Sequence, residues 1–269
     1  MSDTATIQIA ADVSKEPQDA AVVKQVGFNS IALNSPVDAA ALVAKVEAWR
    51  AGGLEVCSVN GGAVFNANTS ADPRHGEAVD RLIEQASRVQ VGRVVIDPPQ
   101  VDRRMPVSTL IGAYGDWLAL RADRAASVGV RVLVSNGGPF GRAADLWKLI
   151  DRLGHPALGV CWDTLTSARQ GEPAALMVSV LNSRIDMVRL RDGKASVEGA
   201  FVECPLGDGT VGVEQAFKRL RGIGFVGCAS VSPDAQALAR VSEWNVRRTV
   251  SDLEAPFQKK AVTTPTKVK

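Results

Sequence analysis

Histidine is almost missing from this sequence, with only His75 and His155 in 269 residues. So few imidazoles exclude a His-rich metal centre and leave almost nothing from which to assemble a Ser-His-Asp triad. The four cysteines, Cys57, Cys161, Cys204 and Cys228, have no CxxC spacing and read as reduced, mostly buried small side chains rather than zinc or redox ligands. An excess of one charge is absent too: 31 Lys+Arg stand against 29 Asp+Glu, with no clustered basic patch of the kind a phosphate backbone requires, so no nucleic-acid partner is expected. No apolar run approaches the roughly 20 residues of a bilayer span. The opening Met1-Ser2-Asp3-Thr4-Ala5 lacks the charged and apolar regions of a signal peptide, so the expectation is a cytoplasmic protein without a membrane partner. The glycine-rich stretches 61–70 (GGAVFNANTS) and 136–141 (NGGPFG) have neither the GxGxxG nor the GxxxxGK[ST] order, which excludes a nucleotide fingerprint.

What the sequence has is regular alternation. Short apolar runs at 6–10, 30–34, 55–60, 93–97, 131–136, 157–163, 185–192 and 226–232 predict eight strands. Between them lie amphipathic stretches at helical spacing, such as Leu42, Val43, Val46 and Trp49, or Leu146, Leu149, Ile150 and Leu153. Glycine closes most of these helices just before the next strand (Gly27, Gly52-Gly53, Gly129, Gly154, Gly224), as the left-handed C-cap favours. Eight strand–helix units in roughly 250 residues fit a parallel (β/α)8 TIM barrel; a doubly wound open sheet is the alternative, and the regular count favours closure. The barrel domain is expected over 1–253. The tail 254–269, ending KKAVTTPTKVK with four lysines, loses periodicity and is expected to be disordered.

In such a barrel chemistry sits at the C-terminal strand ends. Those positions hold Asn34, Asn60, Asp97, Ser135 and Asn136, Asp163, Arg189 to Asp192, and Ser232. Alternation places Gly159, Cys161 and Asp163 on one inward face, Met187, Arg189 and Arg191 on another, and Cys228, Ser230 and Ser232 on a third. An inward Asp163 beside an inward Arg189 predicts a partly buried ion pair, because an unpaired charge there is costly. His155, before the sixth strand, belongs to the opposite, stability face.

The segments VRVLVSNGGPF (131–140 region), HPALGVCWDTLTSARQGEP (155–173), RIDMVRLRDG (184–193), PLGDGTV (205–211) and LRGIGFVGCASVS (220–232) occur in an order that resembles the sugar phosphate isomerase/epimerase family with the xylose isomerase-like TIM barrel. The N-terminal half resembles it more loosely, through 27–36, 53–61 and 78–97. The resemblance implies a divalent metal (Mn2+, Mg2+, Co2+ or Zn2+) held by Glu, Asp, His and Glu on the fifth to eighth strands, polarising a sugar while carboxylates move a proton next to a carbonyl. Those positions here are Ser135, Asp163, Arg189 and Ser232, so only Asp163 matches, and Thr166 stands where a histidine follows the sixth-strand Asp.

One carboxylate and two hydroxyls beside a guanidinium are a poor set for a hard cation, so no metal and no other cofactor are expected. Arg189 is read as an electrophile in place of the metal, with Asp163 as its partner or base. Asn60, Asp97, Ser135, Asn136, Arg191, Asp192 and Ser232 are read as substrate-binding. The implied partner is a sugar, sugar phosphate or sugar acid, and the resemblance also implies pairing of two copies through the helical face. Two readings stay open: an enzyme acting on such a ligand without the usual metal, and a non-catalytic binder or scaffold whose Asp163 and Arg189 plug the barrel. Whether the loop 61–73, with His75 beyond it, covers the pocket as a lid is open as well.

Overall fold

Each expected unit of apolar run and amphipathic stretch becomes one strand and one layer of helix. A computed structural model describes residues 7–13, 19–34, 39–62, 65, 73–99, 101, 105–196 and 201–246. The expected tail 254–269, most of the loop 61–73 and the side chain of His75 lie outside the described residues. The strands are β1 (Gln8–Asp12), β2 (Ser30–Asn34), β3 (Glu55–Asn60), β4 (Arg93–Ile96), β5 (Arg131–Ser135), β6 (Leu158–Asp163), β7 (Ile185–Arg189), β8 (Asp192–Ala195), β9 (Phe201–Cys204) and β10 (Cys228–Val231). All but β8 and β9 are parallel and close into an eight-stranded barrel in the order β1-β10-β7-β6-β5-β4-β3-β2. The helices are α1 (Ala20–Val26), α2 (Ala39–Ala51), α3 (Pro73–Arg88), α4 (Val107–Ser127), α5 (Ala143–Leu153), α6 (Thr164–Arg169), α7 (Ala174–Leu181), α8 (Val213–Gly222) and α9 (Ala235–Val246). Among the described residues no helix is long and apolar enough to cross a membrane.

Local sequence explains the helix boundaries. In α5 the residues Ala143, Leu146, Leu149 and Ile150 are buried on one face, and each larger side chain contributes about 1.5–3 kcal/mol by leaving water. Gly154 then adopts φ 55° and its N–H returns to the Ile150 carbonyl, ending the helix. Gly27 does the same for α1 at φ 111°.

Inside the barrel, one residue from each strand forms a small core: Ala10, Ala32, Cys57, Val95, Leu133, Cys161, Met187 and Cys228. The two alanines on β1 and β2 leave room for the Cys57 and Cys228 Sγ atoms to approach to 2.7 Å. Burial pushes the Cys161 thiol up to about 12, so it stays neutral. Below this layer Asp186 meets Arg131 at 2.6 Å; a Cβ at Gly159 would collide with the Asp186 carboxylate.

Two strand boundaries differ from expectation. β1 extends beyond the apolar run to Asp12, because Gln8, Ala10 and Asp12 continue one alternating face. The seventh strand ends at Arg189 rather than Asp192, and Asp192 starts an antiparallel hairpin, β8–β9, that apolar periodicity did not signal.

Candidate functional site at the barrel mouth

The register puts Asp163 opposite Arg189, and Arg189 opposite Ser230. This confirms their side-by-side placement but not the expected ion pair. Asp163 is the N-cap of α6: its Oδ1 accepts the Thr166 N–H at 2.8 Å. Its Oδ2 takes Nη1 of Arg191 at 2.8 Å. Arg191 is therefore the partner of Asp163, for a reason that lies in the backbone. The chain leaves β7 after Arg189, and the Thr164 hydroxyl pins that exit by accepting the Arg191 N–H at 2.9 Å and lying 2.6 Å from the Arg191 carbonyl. The turn swings the Arg191 side chain back over the end of β6. Its Nε and Nη2 also donate to the two carboxylate oxygens of Glu203 on β9, at 3.0 and 2.7 Å. Burial alone would weaken the Arg191 charge, but Glu203 and Asp163 outweigh it and hold the guanidinium above its ordinary range. Arg191 thus works as a strut between the hairpin and the barrel.

Arg189 lies deeper, with 15% of its side chain exposed, and reaches Asp97 Oδ1 at 3.9 Å. Burial opposes its charge, and Cys161, Asp12, Asp97 and Asp163 together more than restore it. Asp97 is 35% exposed, and its Oδ1 also accepts the Ser135 hydroxyl at 3.1 Å. Ser135, Asp97 and Arg189 therefore form one connected group facing the mouth.

Other expected binding residues are committed internally. Asn136 donates from Nδ2 to the Asp163 carbonyl and Ser167 Oγ, and accepts the Asp163 N–H on Oδ1, which clips the ends of β5 and β6 together. Asn60 accepts the Gly62 N–H at 3.0 Å in a local turn. Asp192 is buried and accepts four backbone N–H groups, from Gly193, Gly207, Gly209 and Val211; it organises the loop after β9 instead of facing a ligand. Ser232 lies one residue past β10, so Ser230, not Ser232, is level with Arg189.

A cleft of about 780 Å³ opens beside this group, between the ends of β1 and β10 and the β8–β9 hairpin. Asp12, Arg191, Glu203, Ser230, Ser232 and Asp234 contribute polar groups to its lining. Three of these were absent from the sequence-derived site: Asp12 because its strand was ended too early, Glu203 because its hairpin has no periodic signal, and Ser230 because the polar strand end was placed two residues later. On the opposite end of the barrel His155 is structural, with Nδ1 accepting the Ala157 N–H at 3.1 Å.

The profile of the xylose isomerase-like TIM barrels matches residues 20–246. The chain belongs to this family. Solved structures agree in fold. A xylose isomerase domain protein from Planctomyces limnophilus is 19% identical, with 92% of this chain and 99% of that chain covered and a TM-score of 0.71. A xylose isomerase-like TIM barrel protein from Mycobacterium smegmatis in complex with magnesium is 17% identical, with 94% and 100% covered and a TM-score of 0.73. The 3-keto-D-glucoside 4-epimerase from E. coli is 15% identical, with 90% and 98% covered and a TM-score of 0.67. No curated protein matches the chain by sequence. At these identities the likeness is one of fold, and the activity of this xylose isomerase-like barrel has to be argued from its own mouth.

Proposed function

We propose that the mouth of this xylose isomerase-like barrel binds a carbohydrate, in the class of sugars, sugar phosphates and sugar acids, without a divalent cation. The observation that carries this reading is the commitment of Asp163, whose two carboxylate oxygens are taken by Thr166 and Arg191 while a guanidinium stands at the adjacent register position. A hard divalent ion needs several free oxygen or nitrogen donors, and among the described residues no group of three His, Cys, Asp or Glu is placed to hold one. The donors do not fit the metal that the family resemblance implies. Arg189 supplies a fixed positive charge in its stead, with N–H groups for a ligand oxygen.

A metal-independent isomerisation is the second reading, favoured by the Ser135–Asp97–Arg189 group. Its base is Asp97 rather than Asp163, since Asp97 alone of the two keeps an exposed carboxylate edge. Arg189 would polarise a carbonyl while Asp97 removed the proton from the neighbouring carbon.

Calorimetric titration with Mn2+, Mg2+, Co2+ and Zn2+ is expected to show no stoichiometric tight binding; a tight one-to-one site would overturn the metal-free reading. In thermal melts against sugars, sugar acids and sugar phosphates, at least one class should raise the wild-type Tm, and Arg189→Leu should lose that response while staying folded. Proton NMR in D2O separates the second reading: exchange at a carbon next to a carbonyl, abolished in Asp97→Asn, supports isomerisation, and its absence leaves binding alone.

A further inference from the structure

We infer that the cleft between β1, β10 and the β8–β9 hairpin selects a polyol that carries an amine, and rejects phosphorylated and carboxylated sugars. The inference rests on the carbohydrate reading above and narrows it by charge. Two independent observations converge on it.

The first is an orphaned hydroxyl. Ser230 is 1% exposed, and its Oγ has no hydrogen-bond partner, although a buried hydroxyl ordinarily finds one. It lines the cleft and is level with Arg189 on the neighbouring strand. A group delivered from the cleft would complete it, and a sugar hydroxyl can both donate to and accept from a serine. The cleft, about 780 Å³, lies within the 300–1,000 Å³ or so typical of small-molecule sites.

The second is the balance of charge. Among the described residues the cleft lining carries four carboxylates, Asp12, Asp192, Glu203 and Asp234, against the single guanidinium of Arg191. Arg191 is held by Glu203 and Asp163, so it has little to offer an incoming anion. Arg189, one layer deeper, is itself ringed by Asp12, Asp97 and Asp163. A phosphate or carboxylate entering here meets an excess of negative charge in a partly water-excluded site, where like charges repel most strongly. An ammonium group meets attraction, and its neighbouring hydroxyls find Ser230 and Ser232.

The test is calorimetric titration at low ionic strength with two matched sets: D-glucose, D-glucosamine and D-glucose 6-phosphate, and the corresponding galactose set. The expected order is amine first, by about fivefold or more over the parent sugar, with the phosphate weakest. Ser230→Ala should weaken binding of the amino sugar by about two- to tenfold. Asp234→Asn keeps an oxygen for the Ala237 N–H that Asp234 now caps but removes a charge, and should shrink the preference for amine over parent. Phosphate binding at least as tightly as amine, or Ser230→Ala binding as wild type does, overturns the charge and hydroxyl assignment while leaving the carbohydrate reading standing. Binding of none of the six sinks the carbohydrate reading and this inference with it.

Discussion

Asp192 and Asp163 are both buried carboxylates at strand ends, yet their environments call for different responses to the same change. Asp192 accepts four backbone N–H groups, so an amide in its place would aim N–H at N–H. We expect Asp192→Asn to lower unfolding free energy nearly as much as Asp192→Ala, each by about 3 kcal/mol, since charge-assisted bonds and orphaned donors are lost together. Asp163→Asn should be milder than Asp163→Ala, because an asparagine still caps α6, a contribution of about 1 kcal/mol. Urea unfolding of the four variants checks both orders; equal losses at 163 would mean the cap contributes nothing. The identities of these residues were legible from their positions at strand ends. Their partners were not. Whether Asp163 meets Arg189 or Arg191 depends on where β7 stops, a matter of two residues, and the stop is set by Thr164 hydrogen-bonding across to Arg191, a contact no periodicity reveals.

At the scale of elements, the barrel strands were readable because each buries an apolar run, and their order followed from the repeated Gly stops. The β8–β9 hairpin was not, because it is short, largely exposed on β9 and rich in small and polar residues; nothing in its hydropathy separates it from a loop. Its attachment to the barrel comes through Arg191, Glu203 and the Asp192-centred loop. Arg191→Leu should therefore loosen the hairpin selectively. Hydrogen exchange is expected to accelerate over residues 192–195 and 201–204 with the amides of β4 to β6 unchanged, whereas uniform acceleration would show the strut to be part of the global fold. The same loosening would open the wall of the cleft on the Glu203 side.

For the whole molecule, the polar floor of the barrel sets an acid dependence. Burial holds the Asp186 carboxyl above its ordinary range, with Arg131 and Arg93 opposing. A raised folded-state value means that the fold favours the protonated form. Its contribution to stability is fully present below the ordinary carboxylate range and is lost as pH rises through the raised value. Between about pH 7 and about pH 4 the stability of wild type relative to Asp186→Asn should shift in favour of wild type. Chemical unfolding at the two pH values measures this, and an unchanged difference would refute it.

Barrel closure also bears on synthesis. β1 pairs over four positions with β10, which lies more than two hundred residues downstream, and over only two positions with its sequence neighbour β2. On the ribosome β1 therefore waits, as an open edge, until Cys228–Val231 has emerged. The wall of the cleft that contains both Asp12 and Ser230 is the last part of the barrel to be made, so a nascent chain gains the ligand site only on completing its fold.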